Sequence, residues 1–250
     1  MIQVRTGSTR FPRKTLSIIE DKPMIWHIIN RLKTVKKIEQ IALITTTKED
    51  DKIFLELAEK EKIIGFAGDE NDLLNRHFQC AKIIDADPII RITSDCPLVD
   101  PKIVEKMLEI FLTNDFDYMS NTIKPTFPDG LDVEIFTTSA LSIAVQNARL
   151  DSEREHVSPY FVNNPEKFKL FNFENDVDLS FNRWTVDYER DLEFIREIYS
   201  KMKPKLVFSM NDILKILMKH PNISKINEGH SRNEGWQKSL QNDTKFFNDV

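Results

Sequence analysis

Short β-branched runs alternate with segments whose apolar residues recur every three or four positions, and this alternation fills the first two-thirds of the chain. Strands and helices that alternate in this way stack as an α/β fold, with helices covering both faces of a twisted, mostly parallel sheet in three layers. Met1 to Val4, Ile41 to Thr45, Ile63 to Phe66 and Ile89 to Thr93 are expected as strands. Between and after them, Met24, Ile25, Ile28, Ile29 and Leu32 carry helical spacing, as do Ile53, Phe54, Leu57 and Ala58, then Leu74, Phe78 and Ala81, then Ile103, Val104, Met107, Leu108 and Phe111. Pro23 suits a first helical turn, and Asp100-Pro101 supplies an N-cap and first-turn pair.

The pattern weakens after Phe111, where Pro125, Pro128 and Gly130 interrupt it. Strands are expected at Val133 to Phe136, at Lys169 to Phe173 and in a segment ending near Val186. Helices are expected over Ala140 to Ala148, Leu192 to Ile198 and Asn211 to His220. Residues 1–220 read as one α/β domain, and the polar stretch 221–250 as an extended tail. Only four residues precede the first polar loop, fewer than the five or six usual for a central strand. Either the natural chain has further residues upstream or its first strand is short.

Composition narrows the function. With 250 residues, 40% hydrophobic and 30% charged, the chain can bury a large core and is neither disordered nor fibrous. No stretch reaches the ~18 apolar residues needed to span a bilayer, and no basic-then-apolar signal region opens it, so no membrane partner and a cytoplasmic address are expected. Two cysteines, Cys80 and Cys96, without a CxxC pair or a histidine cluster leave oxygen as the expected ligand of any metal. A net charge of -5 without long basic runs argues against nucleic acid as a partner.

The loop Arg5-Thr6-Gly7-Ser8-Thr9-Arg10-Phe11-Pro12-Arg13-Lys14 follows a strand and precedes a helix, at the edge where open α/β sheets bind ligands. Gly7 allows close backbone approach, Ser8 and Thr9 offer hydroxyls, and Arg5, Arg10, Arg13 and Lys14 can neutralise a polyphosphate. The Walker spacing is absent, and a solvated basic loop is the plainer alternative. Asp95 ends a second strand in Thr93-Ser94-Asp95-Cys96-Pro97, placed to hold Mg2+ or merely to accept backbone hydrogen bonds in a turn. Asp187 ends a third apolar run and either meets Asp95 across one metal or caps the next helix. Asp129, Asp132 and Glu134 sit at i, i+3 and i+5, and on a strand from Leu131 the last two share a face that suits sugar hydroxyls. Arg154 is a candidate grip for an anionic substrate, and His156 a polar contact rather than a base.

Gln3 to Lys14, together with Ser94-Asp95-Cys96-Pro97-Leu98-Val99-Asp100-Pro101, resembles the cytidylyltransferases that activate acidic sugars, of the acylneuraminate and 3-deoxy-manno-octulosonate type. Asp129-Gly130-Leu131-Asp132-Val133-Glu134, Glu153-Arg154-Glu155-His156-Val157 and Asn233-Glu234-Gly235-Trp236 are similar to its spore coat polysaccharide biosynthesis protein F branch. The resemblance runs nearly end to end. It implies a nucleotide-diphospho-sugar-transferase-like, Rossmann-like fold. It also implies CTP as donor, a sugar or sugar-acid acceptor, pyrophosphate release and Mg2+. By carry-over, Arg5, Gly7, Ser8, Arg10, Lys14 and Arg76 contact the nucleotide, Asp95 and Asp187 hold the metal, and Lys14 and Arg10 assist the departing pyrophosphate. Residues 114–185 are expected to include a substrate and dimerisation subregion, giving a homodimer. The sequence departs from the family at Arg13, where a glycine often precedes the lysine. A glycosyltransferase and a non-catalytic nucleotide-binding protein remain alternatives.

Overall fold

The apolar runs pair into strands in a computed structural model that describes residues 1–8, 10–229, 232 and 243. In chain order they are β1 (Ile2–Gln3), β2 (Ile18–Ile19), β3 (Lys22–Pro23), β4 (Ala42–Thr46), β5 (Ile64–Gly68), β6 (Ile89–Thr93), β7 (Tyr118–Ser120), β8 (Glu134–Phe136) and β9 (Leu170–Asn172). The helices are α1 (Met24–Leu32), α2 (Lys52–Glu61), α3 (Leu73–Ile84), α4 (Pro101–Leu112), α5 (Thr138–Asn147), α6 (Asp151–His156), α7 (Ser158–Val162), α8 (Glu189–Met202), α9 (Met210–Lys219) and α10 (Pro221–Ser224).

Seven strands join in the order β5-β4-β1-β6-β8-β7-β9 among the described residues. β5, β4, β1 and β6 run parallel, β8 runs antiparallel to both β6 and β7, and β9 returns parallel to β7. β2 and β3 form a separate antiparallel ribbon before α1. Successive side chains of a strand point to opposite faces, so Leu43 enters one apolar cluster and Ile44 the other. The first cluster takes in α1, α4 and α8 through Ile28, Met107 and Ile195. The second takes in α3, α5 and α7 through Leu74, Leu141 and Phe161. The sheet is therefore covered on both faces, as parallel strands require.

One buried cation ties the first layer together. Arg31, wholly buried in α1, donates from Nε to Val99 O at 2.7 Å and from Nη2 to Phe208 O at 2.5 Å. It also stacks over the Phe208 ring at 4.5 Å. Its carbonyl partners belong to the turn that follows Asp95 and to the segment leading into α9.

Three local expectations change. Pro23 precedes α1 as its extended N-cap and does not enter the first turn. No strand forms up to Val186; residues 183–186 bond across to loops, with Trp184 N donating to Asp129 O at 2.6 Å and Val186 N to Asp95 O at 2.9 Å. The supposed tail is not extended at its start, because α10 buries Ile223 and Asn227 is buried after it. Thr9 and the motif Asn233 to Trp236 lie outside the described residues.

Candidate functional site

The cationic loop is shaped by its own backbone and by one buried carboxylate. Asp51, 1% exposed, accepts from Thr6 N and Thr6 Oγ1, each at 2.7 Å, and also from Thr46 Oγ1. Thr6 O in turn accepts from Ser8 N at 3.0 Å and Arg13 N at 3.1 Å, closing the loop on itself. Ser8 Oγ accepts from Phe11 N at 3.3 Å. Arg13 sits at φ 57 and ψ 22, a left-handed conformation that glycine adopts freely. The departure from the family pattern therefore falls at the position where a glycine would be at home. A Cβ on Gly7 would meet nothing within 4 Å, so a ligand can approach that backbone closely.

Lys14 closes the loop and points into the cleft. Its Nζ donates to Asp187 Oδ1 at 2.9 Å, to Val186 O at 2.7 Å and to Asp95 Oδ2 at 3.2 Å. Burial works against its charge, but the two carboxylates outweigh it and raise its pKa. The carboxylates meet because the backbones carrying them are bonded. Asp95 O accepts from Val186 N at 2.9 Å and from Thr185 Oγ1 at 3.3 Å, which carries Asp187 past the end of β6. Asp187 does not cap α8: Tyr188 stands at the N-cap, and Asp191 in the first turn accepts through Oδ2 from Asp187 N at 2.8 Å and Tyr188 N at 3.0 Å. Asp187 is thus released to the cleft, where Arg10 Nη2 lies 2.6 Å from its Oδ1. Burial raises its pKa, but Lys14 and Arg10 more than reverse that and bring it to about 2.

Arg183, which the sequence did not single out, is the hub behind this pair. It bonds Asp191 through Nε and Nη2, both at 2.9 Å, and reaches Asp187 Oδ2 at 3.4 Å and Asp129 Oδ2 at 3.5 Å. Gly130, at φ +105, lets the loop with Asp129 lie flat on residues 184–185; a Cβ there would stand 2.5 Å from the Trp184 carbonyl carbon.

These groups border one cleft of about 680 Å³ that also includes Arg5, Gly7, Ser8, Arg76, Arg91 and Thr93. Arg76 is buried and its Nε donates to Asp69 O at 2.9 Å, so it secures the loop after β5 while lining the cleft. Asp129, Asp132, Glu134 and His156 line the same cleft. Glu134 is paired with Arg91, which also donates to Gln3 Oε1 at 2.7 Å. Burial, then the Asp132 charge, pushes Asp129 up to about 7, and burial raises Asp132 and Glu134 as well. Burial lowers the pKa of His156 despite the neighbouring Glu155, whose Oε1 lies 3.6 Å from Arg5.

Arg154 is the exception among the sequence candidates. It does not line the cleft; it pairs with Asp72 at 2.5 Å and donates to Val145 O and Ala148 O at 3.1 and 3.0 Å. Its spacing two residues before His156 turns it to the other side of the short helix α6, where it ties α6 to α3 and to the end of α5.

Among the described residues no group of three or more His, Cys, Asp or Glu side chains is arranged to hold a metal. Magnesium needs less from protein, since one or two carboxylates with substrate phosphates complete its shell. Asp95 and Asp187, held on one ammonium, are hard oxygen donors that fit this demand, and the Asp95 side chain is 30% exposed to the cleft.

A family model described as cytidylyltransferase matches residues 1–217. An uncharacterized protein of Methanocaldococcus jannaschii is 36% identical over 231 residues, covering 91% of this chain and 93% of its own. The spore coat polysaccharide biosynthesis protein SpsF of Bacillus subtilis is 26% identical over 230 residues, with 88% and 94% covered. A solved cytidylyltransferase from Leptospira borgpetersenii superposes with a TM-score of 0.87 at 36% identity, over 92% of this chain and 97% of that one. A CMP:2-keto-3-deoxy-manno-octonic acid synthetase complexed with CTP shares the fold, with a TM-score of 0.64 at 16% identity over 80% and 97%. The chain belongs to the cytidylyltransferase family.

Proposed function

Starting from membership of that family, we propose that this protein transfers CMP from CTP to a sugar or sugar-acid acceptor, with release of pyrophosphate, in the synthesis of a surface polysaccharide or glycoconjugate. The observation that carries the reading is the convergence of Asp95 and Asp187 on Lys14 at the mouth of the Arg5 to Lys14 loop. The acceptor oxygen bonds to the α-phosphorus as the bond to the oxygen bridging the α- and β-phosphates breaks. Pyrophosphate leaves with that electron pair, and the hydroxyl proton passes to solvent. Arg10 and Lys14 bind the charge that develops on pyrophosphate, while the loop backbone around Gly7 and Ser8 and the side chains of Arg5 and Arg76 hold the nucleotide. Such transfers need positioning and charge neutralisation more than covalent help.

Asp95 and Asp187 would hold Mg2+, which supplies positive charge at the phosphates and an acceptor hydroxyl of lower pKa. Asp129, Asp132, Glu134 and His156 border the end left for the acceptor. A homodimer fits the exposure of Val177 (63%) and Phe181 (80%) within residues 114–185. The described residues contain no helix long and apolar enough to cross a membrane, and a cytoplasmic location suits a supply of CTP.

The test is a screen of CTP, UTP, ATP and GTP against neutral sugars and sugar acids, read by pyrophosphate release. CTP with one acceptor class should stand out. CTP binding without product from any acceptor would overturn the reading.

A further inference from the structure

Three described residues near the C-terminus bond back to the domain, and one of them, Arg232, reaches carboxylates that line the cleft. Asn227 Nδ2 donates to Arg183 O at 2.9 Å and to Asp191 Oδ1 at 3.2 Å. Arg232 Nη2 donates to Asp132 Oδ1 at 2.7 Å, its Nη1 donates to Phe127 O at 3.2 Å, and its Nε stands 3.9 Å from Asp129 Oδ1. Asp243 Oδ1 accepts from Ser152 N, in the first turn of α6, at 3.2 Å. Ile223, in the apolar core, fixes where this segment starts.

The charge at the floor explains why a cation belongs there. Asp129 and Asp132 are three positions apart, and the left-handed turn at Gly130 brings both into the cleft. A buried carboxylate and a half-buried one so close repel each other and are costly to desolvate. Arg183 answers Asp129 from one side at 3.5 Å. Arg232, with a side chain 15% exposed, answers Asp132 from the other and ties it to the Phe127 carbonyl.

We propose that Arg232 is a positioning residue for the acceptor. By bridging Phe127, Asp129 and Asp132 it fixes the two carboxylates that receive acceptor hydroxyls. It also cancels enough of their charge for a carboxylate-bearing sugar to approach. The inference rests on the assignment of this end of the cleft to the acceptor. It makes Arg232, beyond the end of α10, part of the site.

The experiment compares full-length wild type, Arg232→Ala and Arg232→Lys. Steady-state kinetics use CTP with 3-deoxy-manno-octulosonate, N-acetylneuraminate or the neutral sugar N-acetylmannosamine. Arg232→Ala should raise the acceptor KM about tenfold or more, most for a sugar acid, and leave the KM for CTP within about twofold. Arg232→Lys should recover most of the loss. Hydrogen exchange of residues 127–133 gives a readout independent of turnover: it should quicken in Arg232→Ala and return toward wild type in Arg232→Lys. Equal rises in both KM values, or unchanged exchange at 127–133, would overturn the proposal. If the wild type turns over no acceptor, cytidylyl transfer fails as the function, while hydrogen exchange still decides whether Arg232 holds the floor.

Discussion

Lys14 Nζ lies 2.9 Å from Asp187 Oδ1, although 173 positions separate the two residues. That contact joins the cationic loop of residues 5–14 to the segment before α8, and Asp95 completes it from beyond the end of β6. Removing the ammonium leaves Asp95 without its cation and Asp187 with Arg10 and Arg183 alone, and takes away the group proposed to meet the leaving phosphates. Lys14→Met is therefore expected to lower kcat by roughly 10²- to 10³-fold. Circular dichroism should stay that of the folded protein. Wild-type kcat in the variant would remove Lys14 from the chemistry.

Arg13 holds a left-handed backbone beside that lysine. Replacing it by glycine removes local strain but frees the unfolded chain, so stability should change by only about 1 kcal/mol. Arg13→Val forces a β-branched residue into the same conformation and should lower the melting temperature clearly below that of Arg13→Gly. Equal melting temperatures for the two variants would show that the loop does not keep this geometry.

Gly130 is the position where the loop bearing Asp129 and Asp132 touches the 184–185 backbone. An added methyl group would sit 2.5 to 2.7 Å from Trp184 and Thr185 backbone atoms at a φ of +105. Gly130→Ala should cost about 3 kcal/mol or more, measured by chemical denaturation, because neither strand of contact is a flexible side chain.

Two aspartates give opposite pH dependences. The native pKa of Asp187, about 2, lies below its ordinary 3.8, so the stability it confers is present above about pH 4 and is lost as pH falls toward 2. Asp129, pushed up to about 7 by burial and by Asp132, binds a proton in the folded state that the unfolded chain has released. Its contribution is lost as pH rises from about 4 to 7. Asp129→Asn should gain stability relative to wild type between pH 5 and pH 8. Denaturation curves whose difference stays constant over that range would contradict this.

Strands rich in β-branched residues, such as Ile89 to Thr93, and helices with a regular face, such as Pro101 to Leu112, were legible because burial imposes their pattern. Asp95, Asp187 and Lys14 were legible because each ends or follows such a run. Residues 183–186 looked like a strand since Trp184, Thr185 and Val186 are apolar or branched, yet their partners are loops at residues 95 and 129. Arg183, Asp51 and Arg232 left no local signal. Each has a partner 40 or more positions away, Thr6 for Asp51, Asp129 for Arg183 and Asp132 for Arg232, and a charged residue within a polar stretch reads the same whether it is buried or solvated. Arg154 shows the converse: a cation next to a candidate histidine, turned by helical geometry to the opposite side.

The most direct test is pyrophosphate release from CTP and Mg2+ by wild type and by Asp95→Asn, with melting temperatures measured in parallel. Asp95 meets the cleft at the end of a strand and contributes no helix cap, so the variant should fold normally and lose about 10³-fold or more in turnover. Pyrophosphate release at the wild-type rate by a folded Asp95→Asn protein would contradict the assignment of this carboxylate pair as the centre of the reaction.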